Sequence, residues 1–220
     1  GWMENGAFLK EVSKKRLLEK SDASLNVFNG LIEKGIFEVY YQEIGRLDKT
    51  TLATKEVNAL NEPQLRAFNG IMNSFTQKSV CLLHGVTSSG KTEIYIHLIR
   101  QVLRSGRQVL YLLPEIAITT QITDRLVKIF GDQLLVYHSK FSDNERVEVW
   151  NKLLHGKGPM LVLGVRSSIF LPFSSLGLII VDEEHETTYK QQDPAPRYHA
   201  RNAAIILAQM HGGKVLLGSA

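Results

Sequence analysis

The chain has 220 residues, of which 44% are hydrophobic, and its 26 basic and 22 acidic side chains leave a formal net charge of +4. This length allows one large domain and a small one, and the modest charge permits a nucleic-acid partner without requiring one. A single cysteine excludes a disulfide framework, and no apolar run approaches the roughly 18 residues of a membrane span. No signal peptide is recognisable, because the charged stretch 10–20 is followed by no apolar segment, so we expect a cytoplasmic protein without a membrane partner.

Residues 1–45 indicate a small helical module that ends in a strand. Ser21-Asp22 is a candidate helix start. Up to Gly35, apolar residues recur at helical spacing: Leu25, Phe28, Leu31 and Ile32. The β-branched and aromatic run 36–41 predicts a strand. This order is typical of a winged helix-turn-helix that binds DNA, although a helical adaptor without DNA contact stays open because the short segment has no basic excess.

A short polar linker is predicted over 46–60, and from residue 61 helices alternate with apolar strands. The strand candidates are Ser79–His84, Gln108–Leu113, Leu134–His138, Met160–Gly164, Leu178–Asp182 and Lys214–Gly218. They are continuous hydrophobic runs, as expected of parallel strands that are covered on both faces. Helical stretches such as Thr92–Leu103 lie between them. The pattern predicts an α/β domain with a buried parallel sheet over 61–220, preceded by the winged-helix-like module.

Residues 85–92, Gly-Val-Thr-Ser-Ser-Gly-Lys-Thr, match the P-loop pattern in full. Glycines let the backbone turn successive N–H groups toward phosphate, while Lys91 reaches the β- and γ-phosphates and the Thr92 hydroxyl ligates Mg²⁺. The predicted nucleotide contacts of the loop are Gly85, Thr87, Ser88, Ser89, Gly90, Lys91 and Thr92. An accidental glycine-rich turn is disfavoured, because the pattern follows a strand candidate and opens a helix.

The predicted strand 178–182 ends in the acid box, Asp182-Glu183-Glu184-His185. A buried strand places these acids at the carboxyl edge of the sheet, beside the P-loop. Asp182 is expected to hold Mg²⁺, directly or through water, and Glu183 to orient and deprotonate the attacking water. An acidic loop after a strand has no special meaning alone, but downstream of a P-loop it predicts nucleotide hydrolysis.

A glutamine shortly before the P-loop is a candidate for reading the base. The acid box matches Asp-Glu-x-His, the signature of superfamily 2 helicases, and such motors use a glutamine in this region to recognise adenine. Gln64 lies in the matching segment Leu60-Asn61-x-x-Gln64. An amide can both donate and accept hydrogen bonds, as adenine requires. A solvated glutamine at a helix start is the alternative.

Ordered motifs along residues 60–220 resemble the PriA family of primosomal replication-restart helicases. The matched motifs are, in chain order, the P-loop with Glu93, Leu113–Ile116, Arg166–Phe170, the acid box, Tyr189–Gln192 and Arg197–Arg201. The resemblance covers 1–45 only as the place where the family carries a winged helix. It implies a RecA-like first helicase lobe of an ATP-dependent 3′-to-5′ DNA helicase that acts at stalled or branched forks and assembles the primosome.

The resemblance also implies cofactors, partners and missing parts. ATP and Mg²⁺ are the expected ligands, and single-stranded and forked DNA, single-strand-binding protein and primosome proteins are the expected partners. The family's arginine fingers, on a second lobe, and its cysteine-rich zinc region are expected beyond Ala220, and its 3′-end-binding domain before residue 1. We therefore expect the 220 residues to be part of a longer protein and to hydrolyse almost no ATP alone.

The resemblance implies that the loop 186–201 senses single-stranded DNA and couples it to hydrolysis. Aromatic rings stack on bases, and cations meet phosphates, so the predicted contacts of this loop are Tyr189, Lys190, Arg197, Tyr198 and Arg201. Strand-end positions that touch the DNA backbone in related motors are Thr119, Arg166 and Ser167. His185 is expected to link the nucleotide site to Ser219. A surface loop with packed tyrosines is the alternative.

Two other functions stay open on the sequence. One is another superfamily 2 translocase, such as a branch-migration or restriction motor, which the loop 186–201 disfavours. The other is a non-hydrolytic DNA-binding regulator that uses nucleotide as a switch. The intact Lys91, Asp182 and Glu183 disfavour the regulator, because a protein that only binds nucleotide has no use for a catalytic acid such as Glu183.

Overall fold

The computed structural model describes residues 14–21, 23–36, 56–86, 89–138, 141–156 and 158–220. The chain divides into two compact units, residues 1–44 and residues 45–220. Within the described ranges, no helix is both long and apolar enough to cross a lipid bilayer.

The described part of the first unit is a pair of helices, α1 (Lys14–Ser21) and α2 (Leu25–Glu33). The predicted helix start at Ser21-Asp22 is wrong. Ser21 ends α1, where its hydroxyl donates to the carbonyl of Leu17 at 2.7 Å, and Ser24 caps α2 instead. Gly35 follows the end of α2 with a φ of +67°, a left-handed conformation in which glycine commonly ends a helix. Apart from Ile36, the predicted strand 36–41 lies outside the described residues.

The second unit is built on a six-stranded parallel sheet. Its strands are β1 (Val80–His84), β2 (Gln108–Leu112), β3 (Leu134–Tyr137), β4 (Leu161–Gly164), β5 (Leu176–Val181) and β6 (Lys214–Ser219). Their order across the sheet is β1-β6-β5-β2-β4-β3, and every hydrogen-bonded pair is parallel. All six strand predictions are confirmed to within two residues at each end.

Helices cover both faces of this sheet. They are α3 (Glu62–Gln77), α4 (Lys91–Arg104), α5 (Thr120–Phe130), α6 (Asp143–His155) and α7 (Ala200–Met210). Alternate residues of β2 enter two separate apolar clusters: Val109 and Tyr111 pack with α3, α4 and α5, and Leu110 and Leu112 pack with α6 and α7. Both faces are therefore buried, which is why the strands are uninterrupted hydrophobic runs. The polar residues that follow the strands are gathered at the carboxyl edge of the sheet.

Candidate nucleotide-hydrolysis site

Three neighbouring strands end together where the two predicted nucleotide motifs lie. The P-loop follows β1, the acid box follows β5, and β6 lies between these two strands. The backbone N–H of Gly85 donates to the carbonyl of Ser219 at 3.1 Å, and that of Glu184 donates to the carbonyl of Gly218 at 2.8 Å. The end of β6 thus joins the P-loop to the acid box through backbone hydrogen bonds.

The P-loop turns sharply into α4. Gly90, at the N-cap, has a φ of +82°, a left-handed conformation that favours glycine, and a Cβ there would displace the flexible Gln64 amide, whose Nε2 would lie 2.3 Å away. At Gly85, a Cβ would lie 3.0 Å from Oγ of Ser89. The first N–H groups of α4 have no intrahelical acceptor, and such a helix start binds anions. The predicted contacts Thr87 and Ser88 lie outside the described residues.

Lys91 reaches from the start of α4 into the junction of the two motifs. Its side chain is buried, and Nζ donates to the carbonyls of Gly85 at 2.6 Å and Ser219 at 3.2 Å. The same Nζ lies 4.0 Å from Oε1 of Glu183. The structure therefore brings together the two residues that the sequence assigned to the phosphates and to the attacking water. Thr92, the next residue, is partly buried.

Asp182 is buried and accepts hydrogen bonds on both carboxylate oxygens. The hydroxyl of Tyr95 donates to Oδ1 at 3.0 Å, the hydroxyl of Tyr111 donates to Oδ2 at 3.2 Å, and the backbone N–H of Glu183 donates to Oδ1 at 3.1 Å. Burial, reinforced by the charge of Asp182, raises the pKa of both tyrosines well above its ordinary value, so both hydroxyls stay protonated donors. The sequence analysis missed both residues, and the only signal for them was a tyrosine inside each of two apolar runs.

Glu183 is held in an unfavourable backbone conformation. Its φ is +47°, and it is the one non-glycine residue with a positive φ within the described ranges. Such a residue costs about 1–3 kcal/mol and persists where the surroundings impose it, often at active sites. Its Oε2 lies 3.8 Å from Nε2 of His185, whose Nδ1 lies 3.3 Å from the Ser219 hydroxyl. This row of contacts connects the acid box to the end of β6, where the coupling role of His185 was predicted.

Gln64 lies beside the P-loop, but its amide has local partners. Oε1 accepts from the backbone N–H of Asn61 at 3.0 Å, which completes a capping box at the start of α3. Nε2 donates to the carbonyl of Gly90 at 3.4 Å. The amide thus ties α3 to the P-loop, and the reading of adenine by Gln64 stays a prediction.

The donors near Lys91 fit Mg²⁺ bound together with nucleotide. A hard cation prefers oxygen, and Thr92 and Asp182 offer a hydroxyl and a carboxylate at one edge of the sheet. Among the described residues, no group of three or more His, Cys, Asp or Glu side chains could hold a metal ion. Mg²⁺ usually keeps several waters and binds through one or two protein oxygens together with phosphates, and Thr92 and Asp182 would supply such oxygens.

Two predicted DNA contacts in the loop 186–201, Tyr189 and Arg201, are bonded to the acid box. Tyr189 is 1% exposed, and its hydroxyl lies 2.6 Å from the carbonyl oxygen of Asp182 and 3.1 Å from that of Leu112. The prediction that it stacks on a base is wrong, because the ring lies in the core. Arg201 forms an ion pair with Glu184, with Nη1 2.6 Å from Oε2. Contact between Arg201 and phosphate stays a prediction, because its side chain is 34% exposed while Nη1 is bound to the acid box.

The remaining basic residues of this region mostly shape the loop. Arg166 donates from Nη1 to the carbonyls of Thr188 at 3.2 Å and Lys190 at 3.4 Å. Lys190 donates from Nζ to the carbonyl of Arg197 at 2.8 Å, while the Arg197 side chain is 69% exposed and 3.9 Å from Asp193. Both cations thus close the loop with part of their hydrogen-bonding capacity. Arg197 is exposed to solvent, whereas Arg166 and Lys190 are partly buried.

The exposed aromatic surface beside the loop comes from Phe170, which the sequence analysis did not select as a site residue. Phe170 is 54% exposed, and its ring packs edge to face against the partly buried ring of Tyr198, with 4.9 Å between the ring centroids. Ser167 is partly buried nearby in the chain. Thr119 is exposed and caps α5, where its hydroxyl accepts from the N–H of Ile122 at 3.4 Å. Contact of Ser167 and Thr119 with DNA stays a prediction.

Comparison with known proteins identifies the class of motor. A family model described as DEAD/DEAH box helicase matches residues 61–220. The chain belongs to the DEAD/DEAH box helicases. A second model, described as the winged helix domain of PriA helicase from Bacteroidota, matches residues 1–44 of this helicase chain.

Curated relatives confirm the resemblance of this helicase to the PriA family. Replication restart protein PriA of Bacillus subtilis is 42% identical over 96% of the chain and 26% of that protein's length. The protein of the same name from Haemophilus influenzae is 42% identical over 92% of the chain and 29% of that protein's length. The chain therefore spans less than a third of either relative.

Solved structures support the fold of the helicase lobe. The helicase MrfA, solved bound to DNA and AMPPNP, aligns with a TM-score of 0.50 and 19% identity over 83% of the chain and 27% of its own. A nuclease-deletion mutant of the restriction-modification enzyme LlaGI, in complex with a DNA substrate mimic, aligns with a TM-score of 0.52 and 15% identity over 74% of the chain and 17% of its own. At these identities the likeness confirms the RecA-like α/β fold and carries no residue roles.

Proposed function

We propose that the chain is the ATP-binding first lobe of a 3′-to-5′ DNA helicase that acts at stalled or branched replication forks and restarts replication. The observation that carries the proposal is the convergence of Lys91, Asp182 and Glu183 at one sheet edge. The action at forks rests on the relatives named replication restart protein. The strand polarity rests on the family resemblance alone.

In this proposal the chain's own residues bind and activate the phosphates. The start of α4 and the Lys91 ammonium bind the β- and γ-phosphates, and Glu183 accepts the proton of the attacking water. When bound, Mg²⁺ neutralises charge on the phosphates, and Thr92 and Asp182 are the residues that would hold it. The placement of the Glu183 carboxylate 4.0 Å from Nζ of Lys91 favours a motor over a nucleotide-switched regulator, because a protein that only binds nucleotide has no use for a catalytic acid there.

The loop 186–201 is proposed to report bound single-stranded DNA to the acid box. Its first end is attached by the Tyr189 hydroxyl to the carbonyl of Asp182, and its second end by the ion pair of Arg201 with Glu184. A bound DNA strand that shifts the loop would therefore move groups bonded directly to the acid box. Phe170 offers a stacking surface that the predicted set lacked. The other proposed DNA contacts are Thr119, Arg166, Ser167, Lys190, Arg197, Tyr198 and Arg201.

Further parts of the proposal come from the resemblance. Residues 1–45 are the winged-helix-like DNA-binding module, 46–60 the linker and 61–220 the helicase lobe. Single-strand-binding protein and primosome proteins are the proposed partners, in the cytoplasm. A second lobe would supply arginine fingers, and a zinc region is expected outside these residues. The separate lobe should then bind nucleotide but hydrolyse almost none.

Titration of a fluorescent ADP with Mg²⁺ into the chain and its Lys91→Ala variant tests the proposal. Saturable binding that the variant loses is the expected result, because Lys91 is the buried cation of the phosphate site. Equal binding by both proteins, or none by either, would contradict a working P-loop in this lobe. Vigorous Lys91-dependent hydrolysis by the lobe alone would contradict the need for a second lobe.

A further inference from the structure

Two buried tyrosines each donate a hydrogen bond to one oxygen of the Asp182 carboxylate. Tyr95 lies one turn into α4 after Lys91 and donates to Oδ1, while Tyr111 lies on β2, the neighbour of β5, and donates to Oδ2. The two rings pack edge to face with 5.6 Å between their centroids, and both are almost completely buried. Because each ring is fixed in the core, the hydroxyls fix the rotation of the carboxylate between them.

The space for this arrangement depends on a glycine in the strand beside it. A Cβ on Gly218 of β6 would lie 2.0 Å from the Tyr95 hydroxyl oxygen and 2.8 Å from Oδ1 of Asp182. Real side chains essentially never approach so closely. Even alanine at this position would have to displace the tyrosine hydroxyl or the carboxylate.

The two carboxylate oxygens of Asp182 accept different numbers of hydrogen bonds. Each carboxylate oxygen has about two acceptor positions. Oδ1 receives the Tyr95 hydroxyl and the backbone N–H of Glu183, whereas Oδ2 receives the Tyr111 hydroxyl alone. One acceptor position therefore remains on Oδ2.

We propose that Tyr95 and Tyr111 are positioning residues that present Oδ2 of Asp182 to Mg²⁺ or to one of its waters. The inference rests on the proposed function, since it assumes that Asp182 serves a nucleotide-bound metal ion. The hydroxyls act only through Asp182. Their loss should therefore weaken the response to metal while leaving the phosphate-binding backbone and Lys91 in place.

The test uses Tyr95→Phe and Tyr111→Phe in the full-length protein, with Tyr137→Phe as the matched control. Tyr137 lies on the edge strand β3, three strand positions from β5. Fluorescent ADP is titrated in EDTA and at increasing Mg²⁺, and melting temperatures are recorded. We expect both variants to need at least about tenfold more Mg²⁺ than the parent to reach half of the metal-dependent gain in ADP affinity. The reason is that losing a hydrogen-bond partner of a metal ligand typically lowers metal affinity 10- to 100-fold. Affinity in EDTA should stay within about twofold of the parent, and the control should match the parent throughout.

The outcomes separate this inference from the proposed function. The positioning role would be overturned if both variants depended on Mg²⁺ as the parent does. It would also be overturned if metal-free binding, metal-dependent binding and melting temperature all fell together, because that pattern indicates a merely structural role. If one variant does not fold, the other decides, because the same shift is expected of both. If the parent itself shows no Lys91-dependent binding, the proposed function fails and this inference with it. A parent that binds beside unchanged variants refutes the positioning role alone.

Discussion

Replacing Tyr189 with phenylalanine removes a single hydroxyl group from the core and should lower the free energy of unfolding by about 1–3 kcal/mol. The hydroxyl lies 2.6 Å from the carbonyl oxygen of Asp182 and 3.1 Å from that of Leu112. The Leu112 oxygen also accepts from the backbone N–H of Asp182 at 3.0 Å, so it keeps a donor in the variant. The loss is therefore that of one buried hydrogen bond, to the Asp182 carbonyl, without a cavity because the ring remains.

Tyr198 provides a matched control in the same loop. Its hydroxyl is also buried, yet it has no hydrogen-bond partner among the described residues. Tyr198→Phe therefore removes a hydroxyl whose burial is not compensated, and the stability should stay the same within about 0.5 kcal/mol or rise. The contrast between the two variants depends on hydrogen bonding, since both make the same chemical change.

Thermal unfolding of the 220-residue chain, followed by circular dichroism, measures both variants. For a domain of this size each kcal/mol corresponds to about 2–4 °C in Tm, so Tyr189→Phe should melt several degrees below the parent. Equal shifts in the two variants, or a larger loss for Tyr198→Phe, would refute the argument that the Tyr189 hydroxyl anchors the loop.

Three further changes address catalysis, DNA binding and the second anchor of the loop. Glu183→Gln in the full-length protein should lower kcat of ATP hydrolysis by about 10²- to 10⁴-fold with ADP affinity retained; a variant with parental turnover would exclude Glu183 as the base. Phe170→Ala should weaken binding of single-stranded DNA by about 5- to 150-fold in fluorescence anisotropy at an unchanged Tm, and equal affinity would remove Phe170 from the DNA surface. Arg201→Ala should cost about 1 kcal/mol in urea unfolding, which Arg201→Lys should partly restore; an unaffected Arg201→Ala variant would mean that the ion pair with Glu184 contributes nothing.

The sheet and the nucleotide motifs could be predicted because their signals are local. A buried parallel strand is a continuous apolar run, and the P-loop combines glycines, a lysine and a threonine within eight residues. The position of Asp182 follows from the end of one such run. In the first unit, local signals competed: Ser21-Asp22 and Ser24 are all good caps, and the structure uses Ser24 for α2.

The partners of side chains could not be predicted, because they depend on contacts between distant segments. Tyr189 and Tyr198 look alike in the sequence, but a turn at 187–189 directs the first into the core, where its ring is packed with residues of β2 and β5. Arg201 meets Glu184 only because α7 begins beside the acid box. The same limit hid Tyr95 and Tyr111, whose common partner lies 87 and 71 residues away along the chain.

The place of β6 in the sheet has a consequence for synthesis on the ribosome. This strand is the last of the six along the chain, yet it lies between β1 and β5 and supplies the carbonyl acceptors for Gly85 and Glu184. A nascent chain that has not yet released residues 214–219 therefore has two unpaired strand edges, which are prone to wrong pairing and attractive to chaperones. The phosphate site is also incomplete before then, since Lys91 and Gly85 both donate to the carbonyl of Ser219 on β6. The nucleotide site of this lobe is therefore completed only when β6 enters the gap between β1 and β5.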